Sequence, residues 1–218
     1  MLKLIVSPEV AALGICVAMA RFRGARVSNR SNPLEKQKKE ALDAICAIDI
    51  EAHPVLAAYR ELHRLASVEG VAPPAQHLIS LAKANGRLPN INTVVDCYNL
   101  VSAQTGFSIG AHDCAHLCGD VAFRITAGGE RYRPLGEPKP APVRAGQYAC
   151  MDDEKIICLM DVKQCEETRI TKQTSEFVIY VQGNSRTTPH DVQDGLQRLG
   201  ALVTEICGGT YERVGQEP

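Results

Sequence analysis

The segment TGFSIGAHDCAHLC, Thr105 to Cys118, gathers more chemistry-bearing side chains than any other stretch of the chain. Gly106-Phe107-Ser108-Ile109-Gly110 spells G-x-S-x-G, the pattern of a serine-hydrolase nucleophile elbow. Directly after it, His112, Asp113, Cys114, His116 and Cys118 supply the residue types that bind a transition metal. An elbow needs a buried strand before its first glycine and a helix after its second. Here the preceding residues, VSAQT, read as the polar end of a helix. Asp161 and His190 follow in the chain order of a triad, but His190 falls at a helix start, and no upstream oxyanion loop is present. A serine esterase using Ser108 is therefore the weakest of the readings kept open.

The metal reading meets a geometric objection. If His112–Cys118 is helical, His112 and His116 share one face while Cys114 and Cys118 point to the other. His53, His63, His77 and His190 are isolated, and Cys150, Cys158 and Cys165 fall on different predicted elements. Neither a metal nor a cofactor is expected, and Cys114, Leu117 and Cys118 read as small core residues under a turn.

Two further groups could meet a ligand. Asn92, Asp96 and Asn99 fall on one narrow stripe of a predicted helix. Taken alone, such a stripe reads as the solvent face. Between Arg21 and Lys39 the chain carries Arg21, Arg23, Arg26, Arg30, Lys36, Lys38 and Lys39 against Glu35 alone. That run is either a solvated surface or a contact for a phosphate backbone.

The elements that must position these residues follow from periodicity. KLIVSPEV opens as a short strand, and GICVAMARFRG is a second, with Arg21 and Arg23 on one face. Helices are expected from about Pro33 to Ile50, Pro54 to Ala66, Pro74 to Asn85 and Asn92 to Gln104. A hairpin should pair Asp120–Thr126 with Glu130–Pro134 across Gly128-Gly129, and a second should turn at Asp152-Asp153. ETRITKQTSE reads as a loop or strand edge and EFVIYVQG as a buried strand. Thr188-Pro189 should cap a helix to Ile206, ended by Gly208-Gly209. The result is an α+β fold with mixed or antiparallel sheets and flanking helices. Residues 1–218 read as a single unit, with a helix-rich part over 1–87 and a β-rich, pocket-bearing part over 88–210.

Composition narrows the class. The chain has 218 residues, 45% hydrophobic, enough to bury a core, and no tryptophan, so aliphatic side chains must fill it. A net charge of −1 excludes a globally basic nucleic-acid binder but not a local patch. Nine cysteines without a C-x-x-C pair fit reduced thiols of a cytoplasmic protein better than a disulfide framework. Pro8 and Glu9 break the first apolar run, so a secretory leader is not expected, and no run approaches the length needed to span a membrane.

From Leu88 onward the order of motifs resembles a known family. NTVVDCYNLVS (Asn92–Ser102), SIGAHD (Ser108–Asp113), GDVAFRITAGGERYRPLG (Gly119–Gly136) and TRITKQTSEFVIYV (Thr168–Val181) are similar, in order and spacing, to the B3/B4 editing domain of the phenylalanyl-tRNA synthetase β subunit. The resemblance covers about Leu88 to Gly208. It implies a pocket for the 3′ end of a mischarged tRNA and hydrolysis of the wrong amino-acid ester, typically tyrosine on a phenylalanine tRNA. An aminoacyl ester is already activated, so a positioned water, backbone N–H donors and the tRNA ribose hydroxyl can suffice. The resemblance makes Ile109–Asp113 a loop that forms a pocket wall, and makes Asn99, Ile109, Gly110, Ala111, His112, Asp113, Thr168 and Thr171 the substrate pocket, with the catalytic group unassigned. Asp96, Arg124 and Glu130 would support it, the last two as an ion pair, and Arg21, Arg23, Arg26, Lys36, Lys38 and Lys39 would face the tRNA backbone. Gly110 stands where the family commonly has a histidine, and His112 follows two residues later. The alternative to editing is a non-catalytic module that binds tRNA, RNA or an amino acid.

Overall fold

A computed structural model describes residues 2–66, 68 and 70–217. Its architecture is three-layered: helices, a four-stranded sheet and a six-stranded sheet. The elements in chain order are β1 (Leu4–Val6), α1 (Pro8–Ala12), β2 (Cys16–Arg23), α2 (Asn32–Ala47), α3 (Pro54–Leu65), α4 (Pro74–Asn85), α5 (Thr93–Thr105), β3 (Ser108–Asp113), a 3-10 turn (Cys114–His116), β4 (Val121–Ile125), β5 (Tyr148–Met151), β6 (Ile156–Leu159), β7 (Lys163–Gln164), β8 (Glu176–Gly183), α6 (Pro189–Cys207), β9 (Thr210–Val214) and β10 (Gln216–Glu217).

The four-stranded sheet runs β3-β8-β2-β9 and is antiparallel throughout. The six-stranded sheet runs β10-β1-β4-β5-β6-β7. It is mixed: β1 pairs parallel with β10 and β4, and the later pairs are antiparallel. Two-residue alternation explains how one sheet serves two cores. On β2, Ala18, Ala20 and Phe22 face the helices, while Val17 and Met19 face the other sheet. On β8, Phe177, Ile179 and Val181 face the helices, while Val178 and Tyr180 face the other sheet. A strand buried on both faces must read as the continuous apolar run FVIYV.

The helices begin where capping chemistry places them. Asn92 caps α5 by accepting from Val95 N–H. Thr188 and Asp191 form a reciprocal capping box at α6, with Pro189 in its first turn. Gly86 and Gly106 end α4 and α5 in the left-handed conformation that glycine adopts without strain. No helix among the described residues is long and apolar enough to cross a membrane.

Two sequence expectations are corrected. Ser108–Asp113 is a fully buried strand, not a loop, because its alternate side chains pack both cores. The expected pairing of Asp120–Thr126 with Glu130–Pro134 does not form; β4 pairs with β5 instead. The Glu130 carboxylate accepts from Ala127 and Gly128 N–H, which coils the Gly128-Gly129 turn on itself and sends the chain into a long excursion. Strand β2 lies between β8 and β9, so a strand of the first part of the chain sits inside the sheet of the second.

Candidate site at strand β3 and the Thr168–Thr174 loop

Helix α5 carries the polar stripe, and that stripe is buried rather than wet. Asn92, Asp96 and Asn99 are all at most 8% exposed. Asn92 and Asp96 each have defined partners. Asn92 Nδ2 donates to the Ile170 carbonyl at 3.3 Å, tying the start of α5 to the loop that follows β7. Asp96 accepts from Ile91 N–H at 2.8 Å and faces Lys38 Nζ at 3.4 Å. Burial pushes the Asp96 carboxyl up, against the pull of the Ile91 N–H and of Lys38. Asn99 lies on the same stripe two turns further along.

Strand β3 presents two different faces. Ile109 and Ala111 point into the helix-side core. Gly110 and His112 point toward the other sheet, where the Tyr180 ring lies. A Cβ on Gly110 would overlap that ring, so the position that lacks the family histidine has no room for one. The His112 ring stacks on Tyr180 with centroids 5.8 Å apart. The imidazole is thus on the same strand face, one pleat further on.

His112 and Asp113 bind the strand to the loop. His112 Nδ1 and Thr168 Oγ1 are 2.7 Å apart, and Thr168 Oγ1 is 3.0 Å from Cys165 Sγ. Burial drives His112 down to about 3, with Asp152 opposing and Lys155 adding to the shift, so the ring is neutral at physiological pH. A Thr168 hydroxyl donated to Nδ1 leaves the proton on Nε2, and Nε2 is buried without a hydrogen-bond partner. Asp113 N–H donates to the Thr168 carbonyl at 2.9 Å. The Asp113 carboxylate accepts from Ala115 N–H at 2.9 Å and from the Thr174 hydroxyl at 2.5 Å. Thr171 N–H donates to Thr174 Oγ1 at 3.0 Å, which closes the loop onto itself.

The pocket residues expected from the sequence therefore gather around β3 but do not line one open cleft. His112, Asp113, Thr168 and Thr171 form one connected hydrogen-bonded system through Thr174. Ile109 and Ala111 face the opposite side of the strand from Gly110 and His112. Arg124 is exposed on β4, and no ion pair joins it to Glu130 among the described residues; Glu130 is occupied in capping its own turn.

The serine-hydrolase constellation is not assembled. Ser108 follows a helix and opens a strand, the reverse of an elbow, and its N–H donates to the Tyr59 hydroxyl at 3.2 Å. Asp161 holds His63 Nε2 at 2.7 Å and the Tyr148 hydroxyl at 2.5 Å, whereas the exposed His190 pairs with Asp194 at 3.3 Å. Sequence reasoning missed this His63–Asp161–Tyr148 cluster, since His63 lies 98 residues from Asp161 in the chain. His63 Nδ1 also donates to the Val71 carbonyl at 3.0 Å. Burial alone would lower His63, but the Asp161 hydrogen bond and charge outweigh it and the net direction is up.

The basic run is mostly spoken for. Arg21 and Arg23 both pair with Glu176, and Arg23 also with Glu212. Lys38 is corrected from a surface cation to a buried one at 6% exposure. Its Nζ donates to Glu35 at 3.0 Å, to the Pro89 carbonyl at 2.9 Å and to Asn90, besides Asp96. Arg26, Lys36 and Lys39 remain exposed, with Lys36 only 3.8 Å from Glu40.

A family model described as the B3/4 domain matches residues 62–208. The chain belongs to the B3/4 domain family. The match runs from within α3 to the end of α6 and includes the whole of β3 and the Thr168–Thr174 loop. Curated relatives are phenylalanine–tRNA ligase β subunits. One from Symbiobacterium thermophilum is 23% identical over 91% of this chain and 24% of its own length. One from Vibrio vulnificus is 24% identical over 55% of this chain and 18% of its own length. The chain thus spans at most about a quarter of these relatives. An N-terminal fragment of the phenylalanyl-tRNA synthetase β subunit from Pyrococcus horikoshii shares the fold, with a TM-score of 0.57 at 12% identity, over 98% of this chain and 51% of that one. In this B3/4 domain, β2 and β9 complete the four-stranded sheet from outside the matched residues.

Proposed function

We propose that this B3/4 domain hydrolyses the ester of a mischarged aminoacyl-tRNA in trans, in the cytoplasm, with residues 1–218 acting as one unit. The observation that carries the reading is the family match over residues 62–208, whose relatives are named as tRNA ligase subunits. The local chemistry is compatible with it. The ester is activated, so the site has to position water and stabilise an oxyanion rather than supply a nucleophile. Strand β3 is a sheet edge, and its Ser108 and Asp113 N–H groups are taken by the Tyr59 hydroxyl and the Thr168 carbonyl, so any oxyanion donor would come from the backbone between them. His112, held neutral, can orient a water through Nε2 once the loop moves, while Asp113 and Thr168 fix the strand to the loop. Asn99 would contact the substrate from α5, and Arg26, Lys36 and Lys39 would meet tRNA phosphates.

Deacylation of a panel of mischarged tRNAs tests this. Acceleration for at least one amino acid is expected, and no acceleration for any would remove the enzymatic claim.

One observation favours a second reading, a non-catalytic tRNA- or amino-acid-binding module: Tyr180 fills the space beside Gly110, and the His112 imidazole is fully enclosed. That reading predicts salt-sensitive tRNA binding with the ester left intact.

A further inference from the structure

Between helix α2 and the turn that follows α4 lies a cavity of about 380 Å³, within the range that small ligands occupy. Its lining combines two chemistries. Leu42 and Leu88 give an apolar wall, and Arg30, Lys39 and Arg87 bring three cations to one mouth. Lys38 also lines the cavity, but its ammonium is consumed by Glu35, the Pro89 carbonyl, Asn90 and Asp96. That buried cluster also neutralises Glu35, the one carboxylate among the lining residues. Lys39 and Arg87 have no ion-pair partner among the described residues, and Arg30 reaches Glu35 only at 3.5 Å.

Three converging cations repel one another when the cavity is empty, and an anion reverses that cost. Arginine adds a planar fork suited to phosphate oxygens. The apolar wall behind them would be wasted on a bare inorganic anion. We propose that this cavity is a nucleotide site, with a phosphate held by Arg30, Lys39 and Arg87 and the base seated against Leu42 and Leu88. A free mononucleotide and one nucleotide of an RNA strand present the same chemistry. The proposal deepens the assignment of the basic run to nucleic acid, and it needs none of the β3 residues, so a hydrolytically inert protein would still show it.

Binding of a fluorescent single-stranded oligoribonucleotide to the full chain, with AMP and pyrophosphate as competitors, tests it. The wild type should bind the oligonucleotide with an affinity that falls with salt. The Lys39→Ala/Arg87→Ala double variant should bind about tenfold more weakly or worse, and its salt slope should flatten by about 0.7, the value for one phosphate of a single strand. Leu42→Asn should weaken binding with the salt slope unchanged. Competition by AMP identifies a lone nucleotide as a ligand; binding of the oligonucleotide without AMP competition identifies the strand. Binding unaffected by the double variant, absence of binding to both probes, or pyrophosphate competing as well as AMP would each overturn the proposal. The melting temperature, expected at the wild-type value for the exposed Lys39→Ala/Arg87→Ala pair and lowered for Leu42→Asn, which loses packing against the core, with binding read well below it, separates lost binding from lost folding.

Discussion

The two places where polar groups gather in this molecule are opposites in kind. Around β3, polar side chains are enclosed, and most are matched: Asp113 with Thr174, His112 with Thr168, Asn92 with Ile170. Around the mouth of the α2 cavity, Lys39 and Arg87 are exposed and without an ion-pair partner among the described residues. The first arrangement holds a geometry at the cost of access. The second gives access and leaves charge to be satisfied by something from solution. A domain that captures a nucleic acid at one place and acts on its end at another needs both kinds. Lys38 is where the two meet, since it lines the cavity and reaches Asp96 on the helix that carries Asn99.

Breaking that joint should have the largest effect. Lys38→Ala leaves Asp96 buried without its cation and should destabilise the fold by about 3–5 kcal/mol, read by urea denaturation. Loss of under 1 kcal/mol would mean that the two regions are not coupled through this pair.

Gly110→Ala probes the enclosure of the β3 region alone. The added methyl meets the Tyr180 ring, and overpacking of this kind costs about 1–3 kcal/mol. A neutral result would show that Tyr180 swings away easily and that the site opens at little cost.

Acid should distinguish the two buried histidines. His112 has a folded value near 3, below its unfolded value of about 6.5, so the unfolded chain takes up the proton first as pH falls. Stability should therefore drop below about pH 6.5, by at most about 1.4 kcal/mol per pH unit from this group. His63 is raised by Asp161, so its contribution is complete below about pH 6.5 and is lost as pH rises through its folded value. His112→Gln should flatten the acid limb and His63→Gln the alkaline one. Exchanged limbs would contradict the assignments.

Arg87→Ala should have the smallest effect on folding, within about 0.5 kcal/mol, because the side chain is exposed and without an ion-pair partner among the described residues.

Much of the fold was legible because local chemistry announces it. Proline and cap residues mark the starts of α2, α3, α4 and α6 to within a residue or two, and the Asp152-Asp153 turn marks the β5–β6 hairpin. What failed was non-local. Ile109–Asp113 was expected as a loop through the resemblance; the strand is buried by Tyr180 and α5, which no neighbour in the chain reveals. Asn92, Asp96 and Asn99 looked like a wet face because what encloses them is distant in sequence, Ile170 for Asn92 and Lys38 for Asp96 among it. Lys38 looked like its exposed neighbours Lys36 and Lys39 for the same reason. The link from His112 and Asp113 to Thr168 and Thr174 was anticipated only as two walls of one pocket, through the family resemblance. The cavity beside Arg87 was not anticipated, since Arg87 lies far along the chain from the basic run.

The central claim is that the chemistry belongs to the α5–β3 region and not to a serine nucleophile. Deacylation of a mischarged tRNA by Asn99→Ala and Ser108→Ala, side by side with the wild type, tests it most directly. The account predicts that Asn99→Ala loses most of the rate while Ser108→Ala keeps most of it. Equal losses, or a greater loss for Ser108→Ala, would contradict it.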